Sequence, residues 1–156
     1  RFLDLPRHTP QPFLLAMKPE RPEVEAQVRA AGWDLVDPGD TSRDIDGYRT
    51  FITTSRGEFT VAKDIYVRPR SGWFSDRSVC YLAAGRPVVT QDSAFGRFIP
   101  TGHGLFAFST MDEAVDALAR INADYPAHSA AAREVAAGHF GARPVLGRFL
   151  ADAGLD

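Results

Sequence analysis

Short apolar runs alternate with segments of helical periodicity along most of the chain. Such a run, bounded by turn residues, is typical of a strand in a parallel sheet, and apolar residues three or four apart indicate a helix. Strands are predicted at 13–17, 33–36, 58–62, 87–90 and 105–108, and helices at 23–31, 42 or 44 to 52, 76–84, 111–125, 127–140 and 144–151. This order predicts an α/β domain with a Rossmann-like parallel sheet flanked by helices and closed by C-terminal helices.

Local signals refine several of these elements. Gly32 and Gly85 lie where helices should stop, and Thr110 with Glu113 has the spacing of a capping box. Phe59 and Val61 alternate with polar neighbours, which favours a strand at 58–62, and residues 65–67 could extend or flank it. The helix at 76–84 is expected to bury Val79, Cys80, Leu82 and Ala83, which makes Cys80 a core residue and not a nucleophile.

Composition limits the classes of function. The 156 residues suit one domain, 1–156, and their net charge of −2 argues against nucleic-acid binding through a basic face. One cysteine excludes an internal disulfide framework, and no apolar run reaches the roughly 18 residues of a membrane span. We therefore expect a cytoplasmic protein. The chain begins with Arg1 and not with Met, from which we expect an excised domain.

One loop is the strongest candidate for chemistry. In a parallel sheet, ligands bind beyond the carboxyl ends of the strands, where loops lead into helices. The loop at 71–78 combines a glycine, hydroxyl groups and a helix start, whose free amides and dipole favour an anion such as a phosphate. Arg77 could add a bidentate donor, or could instead pair with Glu58 or Asp92. The predicted diphosphate-binding residues are Ser71, Gly72, Trp73, Phe74, Ser75, Asp76, Arg77, Ser78 and Lys63.

Other side chains are weaker candidates, and each has a structural alternative. Lys63 follows a predicted strand and could reach a phosphate or be an exposed surface residue. Trp73 and Phe74 could stack on a base or pack in the core. Glu58 could contact the ligand or accept a hydrogen bond from an arginine, and His103 lies in a glycine loop that we expect at the same rim.

Several familiar catalytic patterns are missing from the sequence. It has no Walker A loop, no dinucleotide fingerprint, no G-x-S-x-G elbow and no H-E-x-x-H. The four histidines show no spacing typical of metal ligands. We expect no cofactor. No catalytic residue is assigned from the sequence, because no acid and base are paired in it.

Three stretches resemble the C-terminal half of bacterial glycosyltransferases with the GT-B fold. They are SRGEFTVAK at 55–63, SGWFSDRS at 71–78 and YLAAGRPVV at 81–89. Shorter stretches at 2–6, 32–33 and 100–105 are similar to the same group, so the likeness covers nearly the whole chain. The most widely shared part is the helix followed by small residues, Gly85, a proline and the strand at 87–90.

The resemblance implies that this half binds a nucleotide-sugar donor, while a missing N-terminal half carries the acceptor site and usually the catalytic base. The helix after Ser71 and Gly72 would hold the diphosphate without a metal, with Arg77 or Lys63 offsetting its charge. The full-length protein would then be a glycosyltransferase, and the isolated chain would be inactive. Val145, Leu146, Phe149 and Leu150 of the last helix would leave an apolar patch that could support a homodimer.

The chain also departs from that family. Many retaining members carry two glutamates eight residues apart around this helix, and Gly72 and Cys80 stand at those places here. The glutamate that would contact the donor ribose is therefore absent, which leaves the stereochemistry, sugar and base open. A non-catalytic Rossmann-like nucleotide-binding or interaction module is the alternative function.

Overall fold

The computed structural model describes residues 1–155 and contains five strands and eight α-helices. The strands are β1 (Phe13–Ala16), β2 (Trp33–Val36), β3 (Glu58–Thr60), β4 (Val88–Gln91) and β5 (Leu105–Phe108). The helices are α1 (Pro22–Ala30), α2 (Pro38–Ser42), α3 (Ile45–Thr54), α4 (Asp64–Val67), α5 (Asp76–Ala83), α6 (Met111–Ala123), α7 (Tyr125–Phe140) and α8 (Ala142–Asp152). Short 3-10 turns lie at Leu5–Arg7 and Phe95–Arg97.

All strand pairs are parallel, which confirms the predicted Rossmann-like α/β class. The strands form two sheets where one was expected: β1 pairs with β2, and β3, β4 and β5 pair in that order. The register places Glu58 opposite Val88 and Val88 opposite Leu105, so the three strands of the larger sheet begin at one edge and end at the other.

Two apolar clusters cover the two faces of the larger sheet. Consecutive residues of a strand point to opposite faces, and Val88 and Val89 accordingly belong to different clusters. The first cluster is built with α3, α5 and α7 around Leu82, Phe95 and Leu105. The second contains Phe2, Leu5, Phe13, Phe106, Phe108 and the inner face of α6. Burial on both faces explains why β4 is buried along its whole length.

Capping determines where several helices start. Asp37 and Asp44 accept hydrogen bonds from the amides of Gly39 and Gly47 at 2.8 and 2.7 Å. The expected capping box is confirmed, since the Thr110 hydroxyl accepts from the Glu113 amide and Glu113 accepts from the Thr110 amide. Hydrogen bonds from the Ser109 and Thr110 amides to the Glu113 carboxylate lower its pKa, because they stabilise the ionised form.

The structure corrects one expectation from the pattern and refines two others. Cys80 is exposed, because the buried side of α5 is formed by Ser78, Tyr81 and Leu82. Residues 65–67 follow β3 as part of α4 and do not extend the strand. In and beside β3, Glu58 and Thr60 are buried, Phe59 is partly buried against the second cluster, and Val61 is half exposed.

The final helix leaves apolar side chains uncovered. None of its residues is buried, and Val145, Leu146, Phe149 and Leu150 are 41%, 57%, 65% and 44% exposed. The predicted apolar patch is therefore present in the monomer. Four neighbouring apolar side chains on one helix form a larger apolar area than the isolated apolar residues that are common on protein surfaces.

Candidate functional site

Two loops interlock at the carboxyl edge of the larger sheet. One leads from α4 to α5, and the other follows β4. The Gly72 amide donates to the Ser93 carbonyl at 2.7 Å, and the Ser93 hydroxyl donates to the Trp73 carbonyl. Arg70 also forms an ion pair with Asp92 at 3.3 Å. These contacts hold the loop in front of α5 in a defined position.

The same two loops contain non-glycine residues with left-handed backbone. Arg70 has φ of 52° and Ala94 has φ of 75°, and they are the only non-glycine residues with positive φ among residues 1–155. Such residues cost on the order of 1–3 kcal/mol each and cluster at ligand sites. The Asp92 carboxylate stabilises the second of them by accepting from the Ala94 amide at 2.7 Å.

The amino end of α5 lies between these loops. Ser75 occupies the capping position but, within the described chain, its hydroxyl makes no capping hydrogen bond. The Asp76 carboxylate instead accepts from the next amide, that of Arg77, at 2.8 Å. One turn into the helix, Ser78 is fully buried, and its hydroxyl has no hydrogen-bond partner among residues 1–155. The start of the helix therefore presents amides that a ligand could engage, whereas the Ser78 hydroxyl lies on the buried side of the helix.

The aromatic residues of the loop are used for packing. The Trp73 ring stacks on Tyr66 with centroids 4.6 Å apart, and Phe74 packs between Phe95 and Phe140. Phe98, which the sequence pattern did not indicate as a site residue, is 72% exposed. It lies beside Gly72, where an added Cβ would be 3.2 Å from the Phe98 ring.

The candidate cations differ in their surroundings. Lys63 is exposed at the capping position of α4, directly after β3. Arg77 points back from α5 onto β3, where its Nε donates to Glu58 at 2.6 Å and one Nη donates to Thr60 at 2.9 Å. Burial opposes the charged form of Arg77, but the Glu58 hydrogen bond and charge raise its pKa. Arg77 and Glu58 are thus brought together as an ion pair.

A cavity of about 920 Å³ begins beside this ion pair. Glu58, Thr60, Arg77 and Tyr81 contribute to its wall, and its other walls are largely apolar. The Glu58 side chain is only 5% exposed, and its second oxygen, Oε2, has no partner within the part of the chain described. Burial raises the pKa of the Tyr81 phenol, so this wall is neutral apart from the ion pair.

His103 lies apart from this rim. It precedes β5 and therefore lies at the amino edge of the sheet, opposite the start of α5. Its ring stacks on buried His128 with centroids 5.7 Å apart. The His128 Nδ1 accepts from the Gly104 amide at 3.2 Å, which fixes the loop before β5. The topology separates His103 from the diphosphate-binding loop that the sequence suggested.

We expect His128 to make stability fall on acidification. Burial, followed by the nearby His103 and Arg120, lowers its pKa in the folded chain. The unfolded chain then binds more protons, so stability is complete above the ordinary histidine pKa of about 6.5 and is lost as the pH falls through the lower folded value. Urea midpoints measured between pH 7.5 and pH 5 should fall, and His128→Gln should flatten that fall. An equally steep profile in the variant would contradict this role.

Chemistry-bearing residues that the sequence did not single out are Ser93, Phe98, Thr60 and Tyr81, and Asp92 was named only as a possible partner of Arg77. The signal for Asp92 and Ser93 was their place directly after a buried strand, where ligand loops begin. Across residues 1–155, no three metal-ligating side chains come together, and no helix is long and apolar enough to cross a membrane.

Comparisons of the chain with protein-family models, with curated proteins and with solved structures find no match.

Proposed function

We propose that the chain is the donor-binding half of a nucleotide-sugar glycosyltransferase with the GT-B fold. The observation that carries the proposal is the start of α5, which opens between two interlocked loops at the carboxyl edge of a parallel sheet. A helix start in this position offers amides and a partial positive charge to a diphosphate. The resemblance of the stretches at 55–63, 71–78 and 81–89 supports the same function.

On this proposal, the diphosphate lies against the first turn of α5. The amides around Ser75 would donate to its oxygens, and the exposed Lys63 would supply a positive charge. Asp76 occupies the Arg77 amide in the free protein and must turn away when an anion arrives. Arg77 would contribute the guanidinium N–H groups that Glu58 and Thr60 leave free.

The nucleoside would extend over Phe98. An exposed aromatic ring offers a face for a base, and stacking of this kind contributes about 1–3 kcal/mol per base. The acceptor and the catalytic base would come from the other half of the longer protein, across a cleft that excludes water. Glycosyl transfer would thus require both halves.

We expect nucleoside diphosphates to bind the chain, and two substitutions to change affinity in opposite directions. Asp76→Ala removes a negative charge and frees an amide, which should tighten binding roughly threefold to tenfold. Phe98→Ala should weaken binding by about tenfold through lost stacking. Calorimetric titration with the diphosphates of uridine, guanosine, adenosine and thymidine measures both effects.

Inorganic pyrophosphate is the matched control ligand, because it lacks a base. Asp76→Ala should tighten its binding as well, whereas Phe98→Ala should leave it unchanged. Failure of all four nucleotides and of pyrophosphate to bind the folded chain would refute the proposed function.

The exposed apolar side of α8 favours the second candidate, an interaction module without transferase activity. Its four half-exposed side chains need a partner or a second copy to be covered. A chain that self-associates through α8 but binds none of the five ligands would support this candidate. Sedimentation of Phe149→Glu beside the parent protein tests the contact.

A further inference from the structure

The two sheets present open edges to the same cavity. β1 is hydrogen-bonded only to β2, and β3 only to β4, among the strands of residues 1–155. The cavity is lined by consecutive residues on both sides, 11–16 along β1 and 54–61 along β3. Consecutive residues of a strand point to opposite faces, so a cavity that meets all of them runs along the backbone edge. The cavity therefore lies between two facing strand edges.

The hydrogen-bond register shows which amides face the gap. The Met17 amide donates to Val36 on β2 at 3.1 Å, so alternation turns the amides of Leu14 and Ala16 away from β2. The Glu58 amide donates to Pro87 at 3.0 Å, which turns the Phe59 amide away from β4. Each edge therefore offers backbone donors and carbonyls to a strand lying between them.

Aromatic side chains bridge the gap on one face. Phe59 contacts Phe13 and Trp33, with ring centroids 6.0 and 6.1 Å apart. Leu14 and Val61 line the same cavity, yet they are 54% and 50% exposed. A single sheet would bury these apolar groups and pair both edges. Neither happens within the described residues.

We propose that an extended segment of the same protein, lying outside these 156 residues, fills the gap as a strand between β1 and β3. It would join the two sheets into one parallel sheet in the order β2, β1, inserted strand, β3, β4, β5. The flanking strands have four and three residues, so a segment of about four or five residues is sufficient. This inference rests on the proposed function, since both treat the chain as part of a longer protein.

The lining of the cavity specifies part of the inserted strand. The ion pair of Glu58 and Arg77 lies on one side of the cavity. A side chain of the inserted strand that faces this side should be polar. Side chains on the other side should be apolar, because they meet the rings of Phe13 and Phe59.

The start of the chain points to the source of the strand. Arg1, Phe2 and Leu3 line the same cavity. The Arg1 guanidinium donates to the Ser109 carbonyl, directly after β5, and so reaches the carboxyl edge of the sheet. A strand parallel to its neighbours ends at that edge, so the segment leading into Arg1 can be the inserted strand through a short connection. Covalent attachment gives it a high effective concentration that a free peptide lacks.

The test compares proline with serine at Ala16 in the longer protein. If Ala16 donates to the inserted strand, Ala16→Pro removes that hydrogen bond and crowds the strand, and the Tm should fall by about 4–8 °C. Ala16→Ser keeps the amide and should leave the Tm unchanged. Leu15→Pro is the positive control, since its amide faces β2, and it should destabilise the protein in either case.

Hydrogen exchange of the unsubstituted longer protein gives an independent measurement. The Phe59 amide should exchange on the order of a hundredfold slower than an exposed amide, at a rate independent of protein concentration. Rapid exchange at Phe59, or equal melting of the proline and serine variants, would overturn the proposal. Protection that appears only at high concentration would overturn it too, in favour of a second copy. No nucleotide is used, so these outcomes are independent of donor binding.

Discussion

Arg77→Ala should be among the most destabilising single substitutions at the surface of this chain. Arg77 is half exposed, but its partner Glu58 is buried, with a side chain only 5% exposed. Removing the guanidinium leaves a buried carboxylate without its cation, and such losses cost about 3–5 kcal/mol. Because solvent reaches one side of the pair, we expect about 3 kcal/mol. That corresponds to a fall in Tm of roughly 6–12 °C for a domain of this size.

Glu58→Gln makes it possible to distinguish the contribution of the ion pair to stability from the contributions of Arg77 and Glu58 alone. It removes the buried charge and leaves a half-exposed arginine that water can solvate, so its cost should be only about 1 kcal/mol. The double variant Arg77→Ala with Glu58→Gln should therefore be more stable than Arg77→Ala alone. Urea unfolding of the four proteins gives the coupling energy directly. Additive effects would show that the ion pair does not hold α5 to β3.

The same variants decide how Arg77 acts on ligand. If it binds the diphosphate directly, folded Arg77→Ala loses affinity under conditions where it is fully native, and Arg77→Lys recovers only part. If its role is to connect α5 to β3, affinity falls only in proportion to the unfolded fraction. Titration below the melting range of each variant distinguishes these outcomes.

Gly104→Ala should be the most damaging substitution of a small residue. Gly104 has φ of 70°, and an added Cβ would lie 2.3 Å from the backbone nitrogen of Ala132 in α7. The contact is with a helix backbone, so the sheet and α7 must separate, and the left-handed conformation adds strain. Together these costs should reach about 3–5 kcal/mol.

Gly102→Ala is the matched control for that substitution. Gly102 also has positive φ, 102°, but an added Cβ there would meet no atom within 4 Å in the described chain. Gly102→Ala should lower the free energy of unfolding by about 1–2 kcal/mol, which is the cost of the left-handed backbone conformation alone. Thermal unfolding of both variants measures the difference. Equal losses would mean that the close approach of α7 to the loop before β5 contributes nothing.

The elements of this fold were predictable because their signals are local. The apolar runs predicted all five strands, and the spacing of Thr110 and Glu113 predicted a capping box that the structure contains. The loop ahead of α5 could also be singled out, because a glycine and hydroxyls directly before a helix are typical of an anion-binding loop. The exposed apolar side of α8 was expected from the resemblance and not from periodicity.

Which strands and which side chains pair with one another depends on the tertiary structure. The alternation of Phe59 and Val61 with polar neighbours predicted a strand, but it did not indicate that Glu58 and Thr60 would be buried. Arg77 bonds to both of them from a helix 17 positions or more along the chain. His103 was placed at the ligand rim by its glycines, but the direction of β5 puts it at the opposite edge. Likewise, no periodicity reveals that β1 and β3 face each other across a cavity. Burial and strand order depend on contacts between distant segments, whereas periodicity and capping depend on neighbours three or four residues apart.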